Sequence, residues 1–190
     1  MGASDRKAPS KDPIKDTWAT PQFLFDRLNE RFCFGLDAAA SAENAKCDLF
    51  ITEEENSLVI DWDRGNGAVW INPPYSKTKE FITRARRQSR TFGRTIVLLI
   101  PATTGVAWFH THVIGTASEV WFFRQRLAFV SPVTRAPVKG SNFESMLVVF
   151  SPYREKNTFM GNLSRYGVPL SERSDTMWYG SDFGNYKGRA

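Results

Sequence analysis

The segment Thr95 to Ile100, TIVLLI, is apolar almost without interruption and is closed by Pro101. A strand with one wet face alternates polar and apolar residues, so this run predicts a central strand covered on both sides. Covering both sides requires two packing layers, and the flanking sequence supplies candidates for them. Ala68–Ile71 and 145–150 (SMLVVF) read as further buried strands, with shorter strands predicted at 32–36, 49–52, 119–124 and 126–130. Helices are predicted over 21–31, 42–47, 78–92 and 105–114. The first starts at Thr20-Pro21, with Thr as N-cap and Pro at the first helical position, and Phe23, Leu24, Leu28 and Phe32 line one face. Strand and helix signals alternate through 30–150, which predicts an α/β sheet with helices on both faces.

In open α/β sheets ligands gather at the carboxyl ends of the strands. Two features of this sequence fall there. Phe32 to Leu36 ends at Asp37 and is followed by the small residues Ala38, Ala39, Ala40 and Ser41. Ala68 to Ile71, preceded by an Asn66-Gly67 turn, delivers Asn72, Pro73, Pro74 and Tyr75. Asp37 and Asn72 lie 35 positions apart, on strands expected to be near one another.

The NPPY stretch has specific chemical capacity. Asn offers one acceptor and two donors, and Pro73 has a carbonyl but no N–H. Two acceptors, Asn72 Oδ1 and a backbone carbonyl, suit a planar NH₂ group with its two hydrogens. Holding those hydrogens draws the nitrogen lone pair out of conjugation and toward an electrophile. Tyr75 supplies a ring on which an extruded base can stack, a contact worth roughly 1–3 kcal/mol, and the prolines stiffen the loop. The competing reading is an ordinary turn, since Asn before Pro favours extended conformations.

Composition narrows the class. With 190 residues, 42% hydrophobic and 24% charged, the chain suits one folded domain: a flexible lead-in at 1–16, the domain at 17–150 and an irregular extension at 151–190. No apolar run approaches the roughly 20 residues of a membrane span. The start MGASDRK lacks the apolar core of a secretory signal, and Arg6 stands where N-myristoylation wants Ser or Thr. A cytoplasmic protein is expected. Two cysteines, Cys33 and Cys47, and two histidines, His110 and His112, match no common zinc spacing. We expect no metal, both cysteines as small buried apolar groups, and both histidines in packing or surface roles.

The net charge is +5, and seven basic residues lie between Lys77 and Arg94 against one acid, Glu80. Phe81, Ile82, Ala85 and Phe92 occupy one side of that helix and the basic residues largely the other. The cluster is either a solvated face or one from which Lys77, Lys79, Arg86, Arg87 and Arg90 would contact the phosphates of an anionic partner. The loop 131–143, with Arg135 and Lys139, is either plain connection or a segment that reaches into a groove. Asp61-Trp62 is either a core tryptophan with a capping acid or part of a cofactor rim.

Several segments together resemble the amino-methyltransferases that use S-adenosylmethionine. Those enzymes carry (D/N/S)-P-P-(Y/F/W) at a strand end of a Rossmann-like sheet. More narrowly, the chain resembles the phage and prophage DNA N6-adenine methyltransferase (Dam) family, through WATPQFLFDRL at 18–28, FGLDAAASAENAKC at 34–47, DW at 61–62, VWINPPYSK at 69–77, LLIPATTGVAWFH at 98–110 and RLAF at 126–129. The resemblance implies that Asn72, Pro73, Pro74 and Tyr75 hold a target adenine flipped from duplex DNA. It implies that S-adenosylmethionine lies against Asp37, Ala38, Ala39 and Asn72, with Trp18 and Thr20 closing over its carboxylate end. Transfer would be direct and in line, without a covalent enzyme intermediate or a metal; neither cysteine is positioned as a C5-cytosine nucleophile. One departure is the Ala-Ala-Ala-Ser stretch where many methyltransferases have a Gly-rich loop. The acid for the cofactor ribose stays open among Asp48, Glu53 and Asp61. Other readings are methylation of an RNA adenine or a protein glutamine, or a catalytically dead nucleic-acid-binding scaffold. No feature points to an obligate protein partner.

Overall fold

Within Ile96–Pro101, here β3, successive side chains enter opposite layers, and each layer has its own helices. Ile96, Leu98 and Ile100 pack with Phe81, Ile82 and Ala85 of α2 (Thr78–Phe92) and Phe109 of α3 (Ala107–His112). Val97 and Leu99 pack on the other face with Leu24, Phe25 and Leu28 of α1 (Gln22–Phe32). The computed structural model describes residues 18–131, 134–138, 143–153, 158–164 and 167. Each large apolar side chain fully buried in these layers contributes about 1.5–3 kcal/mol, so the two-sided β3 run anchors the fold.

Among the described residues the sheet has six strands: β1 (Phe34–Asp37), β2 (Ala68–Ile71), β3, β4 (Glu119–Phe123), β5 (Ser145–Phe150) and β6 (Phe159–Leu163), in the order β1-β2-β3-β5-β4-β6. β1, β2 and β3 are mutually parallel, β5 pairs antiparallel with both β3 and β4, and β6 lies parallel to β4. β5 alone therefore runs against the other five. Asp37, Ile71 and Pro101 end neighbouring strands on one edge, with Ser145 opposite Pro101. This is an α/β Rossmann-like sheet with helices on both faces.

Local chemistry sets the element ends. α2 stops at Gly93, in the left-handed region at φ 64°. α1 stops at Cys33, also left-handed at φ 51°, where the Cys33 N–H reaches the Asn29 carbonyl and the Phe34 N–H reaches Asn29 Oδ1 at 2.7 Å.

Several local expectations give way. Thr20 does not cap α1: Pro21 is the N-cap residue, its carbonyl takes the N–H of Leu24 and Phe25, and Thr20 Oγ1 is buried without a partner. Phe23 points outward at 49% exposure, and Phe25 takes the inner position. No helix forms at 42–47. Asn44 Oδ1 accepts the Ser41 N–H and the Ala45 N–H reaches the Ser41 carbonyl, as at a helix start, but Asp37 Oδ2 captures the Lys46 N–H that would continue the turn. The strand at 49–52 reduces to one bridge, Phe50 to Asp37, and that at 126–130 to Val130, which bridges Ala19 and Pro137. Beyond 150, β6 adds an edge strand where irregular chain was expected. Cys33 is exposed and Cys47 half-buried, because Cys33 occupies a helix end rather than the core.

Candidate functional site

Asp37 closes β1 with its side chain on the α1 face, and it is 3% exposed. Oδ1 accepts the Ala39 N–H at 3.2 Å and Oδ2 the Lys46 N–H at 3.1 Å, so the carboxylate pins both ends of the small-residue turn. Its own backbone bonds the Leu49 carbonyl and the Ile51 N–H at 2.9 Å each. Burial raises its pKa from the ordinary 3.8 to about 6, against the lowering effect of those two N–H groups and of Lys46. Lys46 is held through Nζ on Gln22 Oε1 at 2.8 Å, and burial lowers its pKa. Burial likewise pushes the Cys47 thiol up to about 12, which keeps it protonated and unreactive.

The sign of the Asp37 effect is testable. The native state holds this proton more tightly than the unfolded chain does, so stability falls as pH rises from about 4 to about 6. A displacement of that size corresponds to about 3 kcal/mol. Asp37→Asn should remove this component from the pH dependence of the unfolding free energy. Parallel pH profiles for the two proteins would refute it.

On the neighbouring strand, β2 delivers Asn72. Its Nδ2 donates to the Trp18 carbonyl at 2.8 Å, while Oδ1 is shielded from solvent and accepts no hydrogen bond. A buried acceptor left open in this way costs about 1–3 kcal/mol unless a ligand satisfies it. Pro73 is buried, and Tyr75 begins a 3-10 turn through Lys77 that leads into α2, with Thr78 Oγ1 donating to the Tyr75 carbonyl.

Four rings meet beside Asn72. Trp18 stacks on Phe129 and Phe143 at 6.1 Å each, and Tyr75 stands edge-on to the same two rings at 6.1 and 5.1 Å. The Trp18 segment is tied down by reciprocal 2.9 Å bonds between Ala19 and Val130. Ser145, at the same edge of the sheet, is fully buried with Oγ unpaired. Thus Trp18, Asp37, Ala38, Asn72, Pro73, Pro74 and Tyr75 converge at one edge of the sheet. The sequence reading missed Phe129, Phe143 and Ser145. The RLAF motif contained Phe129, but its partner rings lie more than 50 residues away in the chain.

The seven-residue basic cluster divides. Arg84 Nη2 bonds the Val59 and Ile60 carbonyls and Asp61 Oδ1 at 2.6–3.0 Å. Arg94 caps the carbonyls of Trp62, Arg64 and Gly67 at 2.6–2.9 Å. These two are structural staples. Lys77 and Lys79 are exposed beside the NPPY loop. Arg87 and Arg90 are exposed and Arg86 half-buried, but the helix carries them away from that edge; at 1.5 Å per residue Arg90 lies about 20 Å beyond Lys77. Arg135 is exposed, at φ 53°, and Lys139 lies outside the described residues.

Trp62 is a core residue, 1% exposed, with its indole N–H on the Ser57 carbonyl. Asp61 is committed to Arg84 and Gln88. Of the acids considered for a ribose, Asp48 and Glu53 remain exposed, with Glu53 at 3.9 Å from Lys77. Among the described residues, no group of three or more His, Cys, Asp or Glu is placed to hold a metal, and no helix is long and apolar enough to cross a membrane.

The chain is similar to proteins of known family. The DNA N-6-adenine-methyltransferase of Haemophilus phage HP1 (strain HP1c1) is 34% identical over 148 residues, covering 77% of this chain and 84% of its own. That of Escherichia phage T1 is 33% identical over 159 residues, covering 76% of this chain and 66% of its own. A family profile described as DNA N-6-adenine-methyltransferase (Dam) matches residues 7–172. With a two-sided sheet, an NPPY loop at its carboxyl edge and a match over most of its length, the chain belongs to the DNA N-6-adenine-methyltransferase (Dam) family.

Proposed function

We propose that the protein transfers the methyl group of S-adenosylmethionine to the N6 amino group of an adenine flipped out of a short duplex DNA site. The observation that carries this reading is the buried, unpaired Asn72 Oδ1. An exocyclic amino group is the donor such an acceptor lacks, and the Pro73 carbonyl offers a second. As the amino nitrogen attacks, it gains positive character and its hydrogens become stronger donors, so the acceptor binds the transition state more tightly than the ground state. Tyr75 and its neighbouring rings supply stacking surface for the base.

The residues present suit the cofactor. S-adenosylmethionine, when bound, supplies an electrophilic methyl on a cationic sulfonium. Asp37, an anion made costly by burial, and the ring face of Trp18 are both receptors for positive charge. Asp37, Ala38, Ala39 and Asn72 would form the floor of that site, with Trp18 and Thr20 at its rim. Lys77 and Lys79, beside the loop, are the phosphate contacts this reading favours, with the exposed Arg135 as a further candidate. Arg86, Arg87 and Arg90 would need DNA to extend along α2.

The test is methylation-sensitive sequencing of genomic DNA from cells that lack adenine methylation and express this chain. N6-methyladenine at one short recurring sequence is the expected result. Methyl label found only in RNA or in protein would overturn the DNA reading.

A further inference from the structure

The bond between Asn72 Nδ2 and the Trp18 carbonyl does more than anchor a side chain. An amide can be turned over, exchanging its nitrogen and oxygen. In one orientation Nδ2 meets the Trp18 oxygen at 2.8 Å and Oδ1 is left open. In the other, two oxygens face one another and the open position holds a donor, which an amino group cannot use. The carbonyl therefore admits only the orientation with an acceptor outward. That carbonyl is itself fixed, because the Ala19 N–H and C=O are both bonded to Val130, and Val130 in turn bridges Pro137.

We propose that the Trp18 carbonyl is the positioning group that orients the Asn72 amide and selects an amide over a carboxylate at position 72. This rests on the reading of Asn72 Oδ1 as the acceptor for the substrate amino group. An aspartate here would point one carboxylate oxygen at the Trp18 oxygen. The protonated acid removes that conflict: its O–H donates to Trp18 and its C=O remains where Asn72 Oδ1 now lies. The acid form reproduces the amide, and the anion does not.

The consequence is a pH signature that the wild-type amide lacks. The ionisable groups around position 72 all bear on it. Asp37 on β1 raises the pKa of a second carboxyl, whereas Lys46 behind Asp37 and Lys77 at the head of α2 lower it. Tyr75 adds a phenol, and Glu144, ahead of β5, is paired with Arg126 at 3.5 Å. The segment 18–20 brings no charge, only the carbonyl. With burial, the Trp18 oxygen and Asp37 acting in the same direction, the net effect is upward.

The experiment compares wild type, Asn72→Asp and Asn72→Ala at saturating S-adenosylmethionine from pH 5 to pH 8.5, with activities expressed relative to wild type at each pH. Asn72→Asp should come within about tenfold of wild type at pH 5 and lose about tenfold per pH unit above its raised pKa. A second readout needs no catalysis. The melting-temperature deficit of Asn72→Asp, measured without ligand, should be small at pH 5 and grow as pH rises, because a raised folded-state pKa destabilises the fold once the group must ionise. Asn72→Asp matching wild type at pH 8 with no melting deficit would overturn the selection. So would a folded variant inactive throughout with a pH-independent deficit. Neither outcome touches the acceptor reading, which fails separately if Asn72→Ala keeps its activity.

Discussion

Methylation by Asn72→Ala is expected to fall at least about a hundredfold in kcat, the usual cost of removing one acceptor or donor aimed at charge developing in the transition state. The loss belongs mainly in kcat, with KM for DNA changing little. The acceptor contributes most when the amino nitrogen becomes positive, whereas DNA affinity comes from stacking and phosphates. The fold should survive. The variant forfeits one hydrogen bond, to the Trp18 carbonyl, worth about 1 kcal/mol, and it also deletes a buried oxygen that has no partner in the free protein. The melting temperature should therefore stay within about 4 °C of wild type. Steady-state kinetics on duplex DNA, with a thermal melt of the same preparation, checks both halves. A kcat within tenfold of wild type would remove Asn72 from the chemistry.

Gly35→Ala should be strongly destabilising. Gly35 lies in β1 where the register with β2 slips: Phe34 pairs with Ala68, yet Leu36 pairs with the next residue, Val69. The chain folds back so closely there that a Cβ on Gly35 would sit 1.6 Å from the Asn66 carbonyl oxygen and 2.8 Å from its carbon. The obstacle is backbone, and that backbone is held from the other side by Arg94, which bonds the Gly67 and Arg64 carbonyls. Relief requires β1 to separate from β2. A loss of about 3–5 kcal/mol is expected, or roughly 10 °C in melting temperature for a chain of this size. Because β1 carries Asp37 and β2 carries Asn72, methylation should decline as well, even at temperatures where the variant stays folded. Denaturant unfolding gives the first quantity directly; a change under 1 kcal/mol would show that the bulge can open without cost.

The two expectations concern one piece of geometry, the junction of β1 and β2. The clash at Gly35 is about holding those strands together, and the acceptor at Asn72 is about what the junction presents. The buried carboxylate of Asp37 adds the electrostatic element: it organises the 38–46 turn through two N–H groups, at the end of the strand next to the one that delivers the open acceptor.

What could be read from the sequence was whatever depends on near neighbours in the chain. The boundaries of β2 and α2 are those the sequence predicts, because an uninterrupted apolar run and a 3.6-residue apolar stripe are local signals. The placement of Asp37 and Asn72 at adjacent strand ends followed from parallel α/β logic and needed no coordinates. Tertiary structure decided the rest. The 42–47 segment begins as a helical turn, but Asp37 takes the Lys46 N–H that would continue it. The 126–130 segment has strand-like residues, yet it finds only Ala19 and Pro137 to pair with. β6 exists because β4 offers it an edge. The basic helix looked uniform in sequence, and only packing showed Arg84 and Arg94 bonded to the backbone of 59–67.

The same division holds at the site. NPPY by itself determined that a stiff loop would carry an acceptor, an N–H-free carbonyl and a ring. Which atom of the amide faces outward was decided by the carbonyl of Trp18, 54 residues away, because a hydrogen bond fixes orientation only when its partner is in place.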